Sequence, residues 1–139
     1  MNFQLNVIDA QREIYKGEAS KIVLSGIDGV MAVRARHMPY VTPLGVGEVS
    51  YWTDKGEEIN LSIGRGILAV ETNKVTVIVE DTRYGEEISQ EKAAEAKERA
   101  EEIIKKGVKG VELTRALQSI RRSLVDIKIA RKSRKKFVS

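Results

Sequence analysis

The first 84 residues alternate between apolar and polar positions in short runs, which is the pattern of half-buried β-strands. Phe3, Leu5 and Val7 alternate with Gln4 and Asn6, a period of two residues. The same pattern recurs in ASKIVLSG, GVMAVRA, GEVSYWT, EINLSIG, GILAVET and KVTVIVEDT. Strands spaced at roughly 8–12 residues, with no helical run between them, predict a β-sandwich or a β-barrel.

Glycine, asparagine and proline mark the turns between these strands. We expect turns at Gly17 and at residues 26–29 and 39–43, and tight connections around Gly56 and Asn73. The run GRGILA, with Gly64, Gly66 and Ala69, has the spacing of a dinucleotide-binding turn. That turn must open a helix, whereas another strand follows here. We therefore assign these glycines to strand bends or to a close approach of two backbones.

Near residue 85 the period changes to that of helices. We divide the chain into a strand domain, residues 1–84, and a helical part, residues 85–139, with Gly85 as the predicted hinge. Ser89 can cap a first helix, and Gly107 can end it in the left-handed conformation. Apolar residues recur at helical spacing between these two ends: Ala93, Ala96, Ala100, Ile103 and Ile104.

A second helix is predicted from about residue 111 to about residue 135. One apolar stripe runs along it at steps of three and four: Leu113, Ala116, Leu117, Ile120, Leu124 and Ile127. A short loop between two helices favours an antiparallel hairpin. The predicted fold class is α+β, an N-terminal β-sandwich followed by a C-terminal antiparallel two-helix hairpin. Alanines bury little apolar area, so we expect the second helix to be weakly held and able to extend.

The charge is unevenly distributed along the chain. Residues 115–139 hold 9 basic and 1 acidic side chains, whereas residues 1–114 hold 15 basic and 19 acidic ones. So localised a positive field indicates an anionic partner, which could be a nucleic acid, a membrane surface or an acidic protein face. A small β-barrel with a basic tail is one type of nucleic-acid-binding protein. Against that alternative, the strand region is acidic, and aromatic residues for base stacking make up only 5% of the chain.

The composition offers little support for catalysis or for metal binding. There is no cysteine, and His37 is the only histidine, so thiolate sites and histidine-rich metal sites are excluded. Adjacent acids such as Glu57 and Glu58 are interpreted as solvated surface rather than as an acid/base pair. We expect no catalytic residues, no metal and no cofactor. No apolar run approaches the roughly 18–20 residues of a membrane span, and we expect no signal peptide.

Three stretches, which together span most of the chain, resemble the epsilon subunit of F-type ATP synthases. They are VLSGIDGVMAVRARHMPYVTPLGVGEV, LSIGRGILAVETNKVTVIVEDT and EEISQEKAAEAKERAEE. The positions that carry the resemblance are Gly29, His37, Pro39, Ser62, Gly64, Gly66, Asn73, Val75, Thr76 and Val77. The chain departs from the family at Ala32 and Arg36, where members usually carry glycine. The family fold is a β-sandwich followed by a two-helix hairpin.

The resemblance implies a non-catalytic rotor subunit of the central stalk, which couples ion-driven rotation of the c ring to ATP synthesis. The sandwich would dock on the gamma subunit and touch the c ring. The rotor interface would comprise Gly29, Val30, Met31, His37 and Pro39. No nucleic acid is expected as a partner. The expected location is peripheral, at the cytoplasmic face of a bacterial cell membrane, although an organellar origin stays open.

The resemblance also implies a regulatory role for the hairpin. It would extend along gamma, reach the catalytic beta subunits and resist rotation in the hydrolysis direction. The inhibitory contacts would come from Arg115, Arg121, Arg122, Lys128, Arg131 and Lys132. A solvated helix face that aids solubility is the alternative interpretation of these cations.

Some family members bind ATP through a motif at the start of the first helix: Ile or Leu, Asp, two variable residues, Arg and Ala. The aligned residues here are Ile88, Ser89, Gln90, Glu91, Lys92 and Ala93. Ser89 replaces the acid, and Lys92 replaces the arginine, whose planar fork lysine lacks. We therefore expect weak or absent ATP binding.

Overall fold

The computed structural model describes the backbone of residues 1–26 and 29–138, and the side chains of residues 1–26 and 29–133. Within these ranges the strands are β1 (Phe3–Asp9), β2 (Glu13–Gly26), β3 (Gly29–Val33), β4 (Tyr40–Leu44), β5 (Gly47–Thr53), β6 (Glu58–Ile63), β7 (Gly66–Val70), β8 (Lys74–Val79) and β9 (Thr82–Tyr84). A short 3₁₀ helix (Gly85–Glu87) and the helices α1 (Gln90–Lys105) and α2 (Val111–Val138) follow. The predicted order of a strand-rich part and then two helices is confirmed. The chain forms two compact units, Met1–Thr82 and Arg83–Ser139.

The first unit is a β-sandwich in which neighbouring strands follow the order β4-β7-β8-β1-β2-β5-β6, with β3 paired to β2. The alternation in β1 is confirmed, because Phe3, Leu5 and Val7 are all buried. The inward-facing residues of the later strands complete the core: Val49, Leu61, Ile63, Leu68, Val70, Val75, Val77 and Val79. Strand β1 runs parallel to β8 and antiparallel to β2.

The longest strand, β2, changes partners along its length. Residues 13–19 pair with β1, whereas residues 22–26 lie between β3 and β5. The register with β5 shifts between Ala19 and Lys21. Strands turn corners between packed sheets at such irregularities, so β2 contributes to both layers of the sandwich.

Two of the predicted tight turns are confirmed. Gly56, with φ 82°, donates its N–H to the Thr53 carbonyl at 2.9 Å and closes the β5–β6 hairpin. Glu71 N–H bonds the Lys74 carbonyl at 2.7 Å around the turn at residue 73. The predicted turn at residues 26–29 includes residues 27 and 28, which lie outside the described residues.

The predicted turn at Gly17 is wrong, because this residue lies within β2 and pairs with Leu5 of β1.

The predicted turn at residues 39–43 is also wrong over most of its length. Tyr40–Leu44 form β4, which pairs with β7. Proline lacks an N–H group, so it is tolerated at the edge of a sheet. Strand β4 lies at one end of the sheet order. It is therefore an edge strand, in which Pro43 is tolerated.

Gly66 opens a strand rather than a helix, as expected for the run GRGILA. A Cβ atom at this position would lie 2.0 Å from the Ile78 carbonyl oxygen and 2.7 Å from Val79 Cα. The assignment of this glycine to a close approach of two backbones is confirmed.

Asp9 orders the turn between β1 and β2. Its carboxylate accepts hydrogen bonds from the N–H groups of Gln11 at 2.8 Å and Arg12 at 2.9 Å, and from the Thr82 hydroxyl at 2.8 Å. Partial burial alone would raise the pKa of Asp9, but these hydrogen bonds and the Arg12 charge outweigh it. The pKa of Asp9 is therefore lowered from its ordinary value.

In the second unit, both predicted ends of α1 are confirmed. The Ser89 hydroxyl accepts a hydrogen bond from the Lys92 N–H at 3.3 Å. After the helix, Gly107 adopts φ 83°, the left-handed conformation that glycine allows without cost. Helix α2 begins where predicted and continues to residue 138.

The predicted apolar stripe of α2 is wrong as a packing face at its two central leucines, although Ala116 is buried and Leu113, Ile120 and Ile127 are half-buried. Leu117 and Leu124 are 49% and 51% exposed. Among the described side chains of α2, the buried ones are Ala116, Ser123, Asp126, Ile129, Ala130 and Ser133. Ala93 and Ala100 are the buried residues of α1. Small side chains let two helices approach closely, which explains why small residues on both helices are buried while Leu117 and Leu124 are exposed.

Candidate functional site

Tyr40 joins two parts of the predicted interface in the first unit. Its hydroxyl donates a hydrogen bond to the Met31 sulfur at 2.8 Å. Its ring lies 5.5 Å, between centroids, from the ring of His37. Burial raises the pKa of Tyr40 above its ordinary value, so the hydroxyl remains a donor at neutral pH. The sequence predicts a turn at Tyr40 and gives no signal for this role.

A cleft of about 240 Å³ lies between β3 and β4. Gly29, Val30 and Met31 line one side, and Thr42, Pro43 and Leu44 line the other. The predicted residues His37 and Pro39 are exposed on the connection between these two strands. The structure therefore gathers three of the five predicted residues at one cleft and holds His37 beside them through Tyr40.

Arg36, directly before His37, has an unusual backbone conformation. Its φ angle is 63°, in the left-handed region where a side chain costs roughly 1–2 kcal/mol. The Arg36 N–H bonds the Thr72 carbonyl at 3.2 Å, which holds the backbone in place. This is one of the two positions at which the family resemblance led us to expect glycine, and the geometry explains that preference.

An exposed apolar row crosses four strands of the first unit, and the sequence interpretation did not find it. Pro43 is paired with Ile67, Ile67 with Ile78, and Ile78 with Ile8. Ile67 and Ile78 are 49% and 53% exposed. We call Ile8, Pro43, Ile67 and Ile78 the outer apolar row. Contiguous apolar surface of this kind is typical of an interaction site.

A signal for this row was present in the strands GILAV and KVTVIV. Each places an isoleucine, Ile67 or Ile78, on its outward face, whereas a strand with one solvated face shows a clean alternation. This pattern indicates that the outward face also meets something apolar. It does not identify the neighbouring strands, because the register of the sheet determines them.

His37 has none of the surroundings of a catalytic base. Its Nδ1 lies 3.4 Å from the Met38 carbonyl oxygen, and the residue is exposed. In the described ranges, no three or more His, Cys, Asp or Glu residues are grouped so that they could hold a metal ion. Likewise, no helix in the described part of the chain is long and apolar enough to span a membrane.

The residues aligned with the ATP motif have structural roles at the start of α1. The Ser89 hydroxyl caps the helix, and Ala93 is buried. Lys92 is exposed, and Ile88 follows the 3₁₀ helix with its N–H bonded to the Gly85 carbonyl at 3.4 Å. These positions form an ordinary helix N-terminus in which a hydroxyl takes the place of the expected acid.

The six cations predicted for inhibitory contact differ in their surroundings. Arg115, Lys128 and Arg131 are exposed, whereas Arg121, Arg122 and Lys132 are half-buried. The Arg122 Nε lies 3.5 Å from Asp126 Oδ1. Arg115 also borders an open groove of about 590 Å³ between α1 and α2, whose floor includes Ala96, Ala100 and Ala116. The six side chains therefore do not form one uniformly exposed face.

Comparisons with known proteins give a consistent result. Residues 2–84 match the family model described as "ATP synthase, Delta/Epsilon chain, beta-sandwich domain". The ATP synthase epsilon chain of Natranaerobius thermophilus is 35% identical over 133 residues, covering 95% of this chain and 94% of that protein. The epsilon chain of Caldicellulosiruptor bescii is 32% identical over 135 residues, covering 97% and 98%.

Among solved structures, a chain of the Euglena gracilis mitochondrial ATP synthase superposes with a TM-score of 0.78 at 22% identity. The match covers 93% of this chain and 80% of that chain. A chain from the central stalk and c-ring of the Tetrahymena thermophila mitochondrial ATP synthase gives a TM-score of 0.52 at 14% identity, over 60% and 67%. At these identities the matches show a shared fold.

Proposed function

The chain belongs to the ATP synthase delta/epsilon family, and from that premise we propose that it is the epsilon subunit in the central stalk of a rotary ATP synthase. The observation that carries this proposal is the extent of the match. Relatives named ATP synthase epsilon chain align over 95% and 97% of the chain. The similarity therefore extends through the helical unit as well as the sandwich.

The subunit transmits rotation and performs no chemistry of its own. A rotor subunit needs a stiff body and durable contacts with its neighbours rather than an acid, a base and a nucleophile. The continuous hydrogen-bonded path from β4 to β6 and the fully buried core support such a body. His37, the only histidine, is exposed and does not have the surroundings that a general base needs.

Two surfaces of the sandwich make the rotor contacts. Gly29, Val30 and Met31, with His37 and Pro39, face the c ring and the foot of gamma. The outer apolar row provides a second contact, with gamma. Val30 is 74% exposed, and an apolar side chain so exposed is well suited to a protein interface.

The helical unit is a regulatory arm. When α2 extends, its cations meet acidic segments of the catalytic beta subunits and oppose rotation in the hydrolysis direction. Each exposed ion pair contributes only about 0–1 kcal/mol. Several pairs acting together can still shift the balance between the folded and the extended arm, because a difference of about 1.4 kcal/mol changes the ratio of the two populations tenfold. The exposure of Arg115, Lys128 and Arg131 supports this role.

ATP is not a regulatory ligand of this arm. Ser89 and Lys92 remove the acid and the planar guanidinium of the family motif, and the Ser89 hydroxyl already caps α1. Titration of the isolated protein with MgATP in a calorimeter is expected to give no micromolar binding. A micromolar dissociation constant would contradict this expectation.

The nucleic-acid-binding alternative is not supported by the comparisons, in which the named relatives are ATP synthase subunits. The place of the protein follows from its complex. It is peripheral, held at the cytoplasmic face of a bacterial cell membrane through gamma and the c ring.

The rotor contact is tested by measuring the affinity of purified gamma for the full-length chain. We expect Ile78→Gln to weaken binding about tenfold or more, as for truncation of a central interface residue. The matched control is Lys74→Gln, on the same outward face of β8, which should leave the affinity unchanged. Equal effects of the two substitutions would exclude the outer apolar row as the gamma contact.

The regulatory arm is tested in the assembled enzyme, with and without residues 86–139. We expect ATP hydrolysis to rise when the arm is removed, while binding of the sandwich to gamma persists. If hydrolysis does not change, the arm is a structural appendage and the inhibitory role is refuted.

A further inference from the structure

Helix α2 buries a carboxylate. Asp126 is 4% exposed. It is the only acid in residues 115–139, which hold 9 basic side chains. A buried charge is strongly unfavourable unless opposite charges and hydrogen bonds compensate it. The position of Asp126 therefore depends on specific partners within the second unit.

Two arginines from different elements place opposite charges beside Asp126, and one of them also donates a hydrogen bond. Arg83, in β9, donates a hydrogen bond from Nη1 to Asp126 Oδ2. Arg122, one turn earlier on α2, places Nε 3.5 Å from Oδ1, and its side chain is only 12% exposed. Arg122 is one of the six cations expected to contact an acidic partner, yet here it lies against an acid of its own helix.

A second contact holds the same part of α2 against the same connection. A Cβ atom on Gly85 would lie 2.1 Å from Ser133 Oγ and 2.7 Å from Ile129 Cγ2. Glycine at position 85 is thus required by close packing, and the hinge role that the sequence suggested stays a prediction. Arg83 and Gly85 together contact α2 over residues 126–133, about two helical turns.

We propose that Asp126 is an internal competitor for Arg122, which keeps α2 folded against residues 83–85 and must be displaced before Arg122 can meet an acidic partner. This inference rests on the regulatory-arm function proposed above and adds the contact that controls it. In the folded arm, the charge of Arg122 is matched by Asp126. When α2 leaves the connection, Asp126 loses Arg83, and an acidic surface can take its place beside Arg122.

Glu112 provides a charge-matched control. It is exposed and lies in the first turn of the same helix, so Glu112→Gln removes one negative charge, as Asp126→Asn does. Helix propensity differs little between Asp and Asn. Asp126 lies outside the first and last turns of α2, where the helix dipole acts, so removing its charge has little effect through the dipole. Local effects therefore predict no loss of α2 structure in Asp126→Asn, whereas the loss of Arg83 and Arg122 as partners predicts one.

Hydrogen exchange of the isolated full-length protein, followed by mass spectrometry, tests the fastening. We expect the amides of residues 123–133 to exchange at least about tenfold faster in Asp126→Asn than in Glu112→Gln. Arg83→Gln should have the same effect, and Arg83→Lys should recover part of the protection. Unchanged exchange of β1 and β8 would show that the sandwich is intact. Equal exchange of α2 in the Asp126 and Glu112 variants would overturn the proposal.

Binding of the same proteins to poly-L-glutamate at low salt tests the competition for Arg122. The two variants have equal net charge, so a general field effect predicts equal affinities. We expect Asp126→Asn to bind at least about threefold tighter than Glu112→Gln, and Arg122→Gln introduced into Asp126→Asn to abolish that gain. Equal affinities, or a gain that survives loss of Arg122, would refute the competition. Both measurements use the isolated protein, so they stand apart from the ATPase test of the arm.

Discussion

The close approach of β7 and β8 at Gly66 makes a strong prediction about stability. Gly66→Ala introduces a Cβ atom 2.0 Å from the Ile78 carbonyl oxygen, where ordinary contact begins at 3.4 Å. The obstructing atoms belong to the backbone, so no side-chain rotation can relieve the overlap. The two strands would have to separate by more than about 1 Å, beyond the tolerance of close-packed interiors.

The expected cost follows from that displacement. Overpacking of a core costs typically about 1–3 kcal/mol, and a backbone obstruction lies at the upper end of that range. We expect the free energy of unfolding to fall by about 3 kcal/mol. For a unit of this size, 1 kcal/mol shifts the melting temperature by roughly 4–8 °C, so a decrease of about 15 °C is expected.

Thermal and urea unfolding of the full chain, followed by circular dichroism, measure this effect. Gly45→Ala is the matched control, because a Cβ atom on Gly45 would meet nothing within 4 Å. That substitution should be neutral or stabilising by up to about 1 kcal/mol through the unfolded state. If Gly66→Ala costs no more than Gly45→Ala, the close approach of β7 and β8 does not exist in solution.

Three further predictions concern single residues. Arg36→Gly removes left-handed strain, so it should raise the free energy of unfolding by about 0.5 kcal/mol. The control is Arg34→Gly, at a position where φ is not positive, which should lower the free energy of unfolding by a similar amount. Equal effects of the two substitutions in urea titrations would contradict the strain at Arg36. Because the folded-state pKa of Asp9 is lowered, its stabilisation is present above the unfolded pKa and is lost as the pH falls through the folded value. Asp9→Asn should therefore cost about 1.5 kcal/mol between about pH 5 and 8, and this difference should shrink below about pH 4; a pH-independent difference in urea unfolding would refute the role of the charge. Ile129→Ala should destabilise the chain by about 2–4 kcal/mol and Leu124→Ala by less than about 1 kcal/mol. The reverse order of denaturation midpoints would show that Leu124, and not Ile129, lies on the packing face of α2.

Local sequence signals determined the elements of this protein. The period of two in residues 3–8 predicted the buried face of β1, and the residues flanking α1 predicted its two ends, because a strand face and a helix cap depend on neighbours within a few positions. The glycine run at residues 64–66 was interpreted correctly, since the alternation after it excluded a helix. The order of motifs along the chain carried the resemblance to the family.

Only the tertiary structure decided which partner each face meets. The parallel pairing of β1 with β8 joins residues about 70 positions apart, and β4 was hidden by Pro43, which suits an edge strand. On α2, the leucine spacing gave a correct helix, but Leu117 and Leu124 do not lie on its packing face, because close helix packing depends on the small residues of both helices. The burial of Asp126 depends on Arg83, which lies 43 positions earlier. Periodicity describes one surface at a time, whereas burial belongs to a pair of surfaces, and that pair is set by the fold.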